Sequence, residues 1–135
     1  MISMREEGRR RREADPWPTL EAAIREATTV AEHARAFYGD SLKSVWLYGS
    51  RARQDNAPDS DLDVLLVREP PEGLDATKEK RDLFDGSFQN MLEEKMRNIS
   101  MWPWPIQVKS SRPEQLETWD TMFFLSVRED AIRIL

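Results

Sequence analysis

A Gly-Ser pair and two closely spaced aspartates are the residues of this sequence best suited to chemistry. Gly49 and Ser50 end a short apolar run, and Asp61 and Asp63 follow after a polar loop. Because glycine has no Cβ, a phosphate group can approach its backbone, while serine offers a hydroxyl and an amide N–H to phosphate oxygens. Gly49 and Ser50 therefore predict a site that holds phosphate.

Asp61 and Asp63 stand at the start of a second apolar run, which continues to Val67. In a strand this spacing places both carboxylates on the same face of a sheet, where they repel each other unless a cation lies between them. Mg²⁺ is the expected cation, since it takes hard oxygen ligands and completes its shell with phosphate oxygens and water. Such a site beside bound phosphate suits in-line attack on a nucleoside triphosphate. The alternative is a loop of turn-forming aspartates that leads into an ordinary strand.

The surrounding elements predict an α+β fold, a small mixed β-sheet with helices packed on one face. Apolar residues at helical spacing predict a helix over Leu20–Tyr38, with Thr19 as N-cap and Gly39 as its stop. Further along the chain we expect strands over 45–48, 62–67, 106–108 and 132–135, a helix over about 75–98, and a last helix capped by Ser111 and Glu114.

Length and charge limit the class of protein. The 135 residues suit one domain over 18–135 behind a charged tail over 1–17, and the Arg9–Arg12 run in that tail is most simply a solvated terminus. The net charge of −5 argues against direct nucleic-acid binding, which needs surplus cations. The chain has no cysteine, no apolar run that would span a membrane and a charged N-terminus, so we expect a cytoplasmic protein.

At this point the sequence resembles the minimal nucleotidyltransferases, or MNT proteins, of the polymerase-β-like superfamily. Their signature is Gly-Ser, ten residues and Asp-x-Asp, which is matched by Gly49-Ser50 and Asp61-Leu62-Asp63. The resemblance covers roughly 20–135, including the closing stretch over 127–135. It implies the nucleotidyltransferase fold and the transfer of a nucleoside monophosphate to a hydroxyl, with release of pyrophosphate.

The resemblance also implies roles for individual residues. Gly49 and Ser50 hold the β- and γ-phosphates of ATP, and the metal ligands Asp61 and Asp63 bind Mg²⁺. Arg51, in the loop that follows, either steadies the triphosphate or is an exposed loop charge. Outside this set, Arg53 and Lys109 are either phosphate contacts or simply exposed charges. Trp102 and Trp104 either stack on the base or pack at the edge of the sheet.

Two positions depart from the family pattern. The family carries a third carboxylate on the next long strand, where the register puts Gln107, which has no charge and cannot act as a base. Gln107 is thus the predicted third catalytic position, and three alternatives remain open: slow transfer with two carboxylates, nucleotide binding without turnover, or a different register in which Glu93 or Glu94 helps. The second departure is Gln54, where many relatives have glycine, which predicts a different turn.

The resemblance further implies a partner. Short MNT proteins act as antitoxins that transfer AMP from ATP to a tyrosine of a HEPN ribonuclease toxin, a reaction known as AMPylation. A chain this short leaves little to grip an acceptor, so we expect the acceptor on another protein, in a hetero-complex or a homo-oligomer. The alternatives are a catalytically weak protein that neutralises its partner by binding, and a transferase that acts on a small-molecule hydroxyl such as an aminoglycoside.

Overall fold

A four-stranded mixed sheet with helices packed against it is the frame of the domain. The computed structural model describes residues 19–57, 59–69, 86–96 and 105–135. The predicted N-terminal tail, the start of the predicted helix near Asp75 and the two tryptophans Trp102 and Trp104 lie outside these residues. Within the described part of the chain, no helix combines the length and the apolar character needed to cross a membrane.

Helix α1 spans Leu20–Tyr38, as predicted. It begins where the Thr19 hydroxyl accepts a hydrogen bond from the Ala22 N–H at 3.1 Å, and it ends at Gly39, whose φ of 62° is readily adopted by glycine. Small apolar residues face the sheet and let the helix lie close to it; they are Ala22, Ala23, Ala27, Val30, Ala31 and Ala34.

The sheet has the strand order β3-β2-β1-β4. Its strands are β1 (Leu42–Tyr48), β2 (Leu62–Arg68), β3 (Ile106–Ser111) and β4 (Ile132–Arg133). Strand β1 pairs antiparallel with both β2 and β4, while β2 and β3 run parallel. The predicted small mixed sheet of an α+β fold is therefore confirmed.

The two faces of the sheet are covered differently. Leu62, Val64 and Leu66 of β2 belong to the main core, together with α1 and with helix α3 (Gly86–Met96). On the other face Leu65 and Val67 pack against Val127 of helix α5 (Met122–Asp130). The long helices thus share one face, as predicted, and the C-terminal helix covers part of the other.

Helix α4 spans Pro113–Thr118. The predicted cap at Ser111 would have started this helix one position earlier. The prediction was wrong because β3 continues to Ser111, which leaves that residue in the sheet. The side chain of Gln115 caps the start of this helix instead, since its Oε1 accepts a hydrogen bond from the Arg112 N–H at 2.8 Å. The helix therefore starts directly after the strand, with Pro113 in its first turn.

A buried glutamine ties α3 to strand β3. The Gln89 side chain donates through Nε2 to the Ile106 carbonyl at 2.7 Å, and its Oε1 accepts from the Val108 N–H at 2.9 Å. These two bonds flank Gln107, and they pair backbone groups on the side of β3 that faces away from β2. Gln89 therefore fixes the stretch of strand that presents Gln107.

Replacing Gln89 with methionine tests this tie. The substitution keeps the volume but leaves the Val108 N–H and the Ile106 carbonyl without their side-chain partner, so we expect the free energy of unfolding to fall by about 2–4 kcal/mol. Asn90→Ala, at an exposed position of the same helix, is the control and should stay within about 0.5 kcal/mol of the parent chain. Urea denaturation measures both, and an equal effect of the two substitutions would contradict the assignment.

Candidate active site

The pairing of β1 with β2 brings the Gly-Ser turn against the aspartate pair. Tyr48 lies opposite Asp63 in the register, and Gly49 follows with φ at 77°. A Cβ placed on Gly49 would lie 2.6 Å from Asp63 Oδ2, closer than such atoms can approach. Glycine is therefore required here both for its backbone angle and for the room it leaves to the Asp63 carboxylate.

Ser50 begins the short helix α2 (Ser50–Arg53) directly after this close approach. The Gly49 carbonyl accepts from the N–H groups of Ala52 and Arg53, each at 3.1 Å, and this closes the turn. Amide groups in the first turn of a helix have no acceptor within the helix. The predicted contact of Gly49 and Ser50 with phosphate stays a prediction, now with a turn of defined shape to carry it.

The parallel pairing of β2 with β3 completes the cluster. Asp63 lies opposite Gln107, and Gln107 Nε2 donates to Asp61 Oδ2 at 3.1 Å. The predicted register of Gln107 is therefore correct, and the alternative register is wrong. Glu93 and Glu94 lie exposed on α3.

Asp63 is half-buried and electrostatically strained. Burial raises the pKa of Asp63 from an ordinary 3.8 to about 6, and the neighbouring charge of Asp61 raises it further within that shift. The cations Lys109 and Arg53 act in the opposite direction. A bound cation strongly stabilises the charged form of a carboxylate in this setting.

The donor set suits one Mg²⁺ ion. The described residues contain no group of three or more His, Cys, Asp or Glu side chains placed to hold a metal. They do offer the carboxylates of Asp61 and Asp63 beside the amide of Gln107. Mg²⁺ is commonly held by one or two carboxylates, with substrate phosphates and waters as its other ligands. The residues present therefore fit a magnesium ion that arrives with a nucleotide.

Arg51 secures the loop that leads into Asp61. Its side chain is only 2% exposed, and it donates through Nε and Nη2 to the Ser60 carbonyl at 3.2 and 2.9 Å. Burial lowers the pKa of Arg51, against the opposing charge of Asp59. The structure thus gives Arg51 a positioning contact, and its predicted contact with the triphosphate stays a prediction.

Gln54 ends α2 in the left-handed conformation, with φ at 63° and ψ at 24°. Glycine adopts these angles freely, whereas a residue with a Cβ is strained there. The turn after α2 therefore has backbone angles that a glycine also adopts, and the expectation of a turn different from that of relatives stays a prediction.

Aromatic rings form one wall of the cluster, on the face that carries Asp63. The Tyr48 ring meets Phe123 of α5 edge to face at 5.3 Å, and Lys109 Nζ lies 5.0 Å from the centre of the Phe123 ring. Burial, and then the charge of Asp63, raises the pKa of Tyr48, so its phenol is neutral at physiological pH. The sequence pattern assigned Tyr48 only to the sheet face, because nothing in the sequence shows that Phe123 packs against it.

Comparison with known proteins identifies the family. The Nucleotidyltransferase domain family matches residues 29–116, which is more than half of the chain and includes both aspartates and Gln107. The chain belongs to this family. Domains of this kind generally use a nucleoside triphosphate and Mg²⁺.

A solved structure described as the toxin-antitoxin with AMP-PNP is similar to 80% of this chain and 72% of its own, at 13% identity and a TM-score of 0.48. A likeness at this level establishes neither a shared activity nor a shared partner. A search of curated proteins gave no match.

Asp63→Asn tests the strain at the site. Because the folded-state pKa of Asp63 lies above its ordinary value, the folded protein holds this proton more tightly, and stability falls as pH rises from about 4 through about 6. In EDTA at pH 7.5 the variant should therefore be more stable than the parent chain, by roughly 1–3 kcal/mol.

At pH 4, where Asp63 is largely protonated, the advantage of the variant should shrink towards zero. Asp40→Asn, at an exposed position beyond α1, is the control and should stay within about 0.5 kcal/mol of the parent chain. Urea denaturation at the two pH values measures the effect. A variant that is less stable than the parent chain at pH 7.5 would contradict the strain assigned to Asp63.

Proposed function

We propose that this chain is an antitoxin of the nucleotidyltransferase type, which transfers AMP from ATP to a tyrosine hydroxyl of a HEPN ribonuclease toxin. The observation that carries the transferase part is the juxtaposition of Gly49, Asp63 and Gln107 at the meeting point of three strands. Membership of the Nucleotidyltransferase domain family supports it. The toxin partner rests on the sequence resemblance to MNT proteins.

The reaction is a substitution at the α-phosphorus of ATP. The tyrosine oxygen forms a bond to that phosphorus, the bond to the bridging oxygen of the β-phosphate breaks, and pyrophosphate leaves with the bonding electrons. The hydroxyl proton passes to solvent water. Mg²⁺, when bound, neutralises charge on the triphosphate oxygens.

Each residue of the site has a defined part in this proposal. Asp61 and Asp63 hold the metal with its nucleotide, and the turn at Gly49 and Ser50 receives the phosphates. Gln107 stands where a base would be and cannot accept the hydroxyl proton, so positioning and charge neutralisation supply the rate. A nucleotide attached to the tyrosine adds bulk and negative charge, which would oppose RNA entry into a ribonuclease.

A second candidate function is neutralisation of the partner by binding alone. The hydrogen bond from Gln107 Nε2 to Asp61 Oδ2 favours it, because a neutral amide occupies the third position and engages one of the two carboxylates. In that case the site retains nucleotide binding without turnover.

The experiment that separates the two functions uses ATP labelled at the α-phosphate, Mg²⁺ and the purified HEPN partner. We expect label on the partner, and a fall in its rate of about a hundredfold or more in Asp61→Asn and in Asp63→Asn. ATP labelled at the γ-phosphate should leave the partner unlabelled, because that phosphate departs with pyrophosphate. Asp40→Asn, an exposed carboxylate outside the site, is the matched control.

The outcomes divide cleanly. Label that disappears in both variants, together with loss of neutralisation, supports AMP transfer. Neutralisation that persists in both variants, together with no label on the partner even with the parent chain, contradicts the transferase and supports binding alone.

A further inference from the structure

We propose that the ammonium group of Lys109 supplies a permanent positive charge at this site, so that the chain binds one divalent metal ion with its nucleotide rather than two. This inference rests on the proposed nucleotide-binding function and goes beyond it, because it assigns the metal count and a further residue. The argument starts from the strand that carries Gln107.

The register places Lys109 beside Asp63. Asp63 lies opposite Gln107, and Leu65 lies opposite Lys109, so the lysine is one step further along the same face of the sheet. Diagonal neighbours of this kind are within reach of a long side chain.

Phe123 holds the ammonium group in place. Lys109 Nζ lies 5.0 Å from the centre of the Phe123 ring, and the ring is itself packed on Tyr48. A cation over an aromatic face is attracted by the ring's electron density, and Lys109 as a whole is half-buried. The contact with Phe123 therefore places the charge at the wall of the site.

A second metal ion lacks a ligand among the described residues. One Mg²⁺ is satisfied by two carboxylates, phosphate oxygens and water, whereas a second needs a further anionic oxygen. Gln107 is neutral at the position where that oxygen would stand, and its Nε2 occupies one oxygen of Asp61. Lys109 would also repel a second ion. Asp61 and Asp63 together carry a charge of −2, and Lys109 adds +1. The net negative charge of the site is therefore already reduced without a second metal.

The test counts metal ions directly, with Mn²⁺ as the probe. Free Mn²⁺ is measured by electron paramagnetic resonance during titration of the full chain in the presence of a non-hydrolysable ATP analogue. The analogue alone, and chain without analogue, provide the baselines. We expect one tightly bound Mn²⁺ for each complex of chain and analogue, held more tightly than by the analogue alone.

Two variants assign the effect to side chains. Lys109→Met keeps the apolar stem and removes the charge, so analogue affinity in Mn²⁺ should fall about tenfold, while Lys109→Arg should keep most of it. Lys43→Met, an exposed lysine on β1, is the control and should leave affinity unchanged. The double variant Gln107→Asp with Lys109→Met should bind a second Mn²⁺, because it gains the missing ligand and loses the repulsion.

Three results would overturn the proposal: two Mn²⁺ ions of similar affinity in the parent chain, unchanged analogue affinity in a folded Lys109→Met chain, or a double variant that still binds one. Circular dichroism checks the fold of each variant. If AMP transfer occurs while two ions bind, the metal count is wrong and the proposed function stands. If one ion binds with the analogue and no label reaches the partner, AMP transfer is wrong and the metal count stands.

Discussion

The burial of one carboxylate beside a second is the constraint on which this site depends. Asp63 is held in a half-buried position beside Asp61, and its raised pKa measures the cost of keeping charge there. A domain selected for stability alone would place an amide or an apolar side chain at this position. The arrangement becomes favourable when a cation and its phosphates arrive, so the unfavourable charge of Asp63 favours ligand binding.

The rest of the domain keeps these carboxylates where the strain is useful. Glycine at position 49 gives Asp63 Oδ2 its space, and the buried guanidinium of Arg51 holds the Ser60 carbonyl just before Asp61. On the other side, Gln89 fixes the strand that carries Gln107. Three segments that are distant in the sequence therefore converge on one small volume, each through a contact with backbone or carboxylate.

Much of the fold and of the candidate site could be predicted from the sequence, because the patterns that indicate them are local. Helical periodicity, Thr19 and Gly39 gave the bounds of α1, and alternation along β2 and β3 gave the partner of Asp63 as Gln107. The role of Gln89 depends on backbone atoms of Ile106 and Val108, which are many residues away in the sequence. The sequence indicates this role only by placing a polar residue between Phe88 and Leu92 on a buried helix face. The packing of α5 on the aspartate face, and the shift of the α4 cap beyond Ser111, likewise depend on how far the sheet extends.

The central claim is that the aspartate pair binds a metal ion and a nucleoside triphosphate together. Calorimetric titration of the chain with ATP, in Mg²⁺ and then in EDTA, tests it most directly. We expect binding heat in Mg²⁺ that disappears in EDTA and in Asp63→Asn. ATP binding that is unaffected by both EDTA and Asp63→Asn would contradict the account, because the triphosphate would then be held without the metal and without the strained carboxylate.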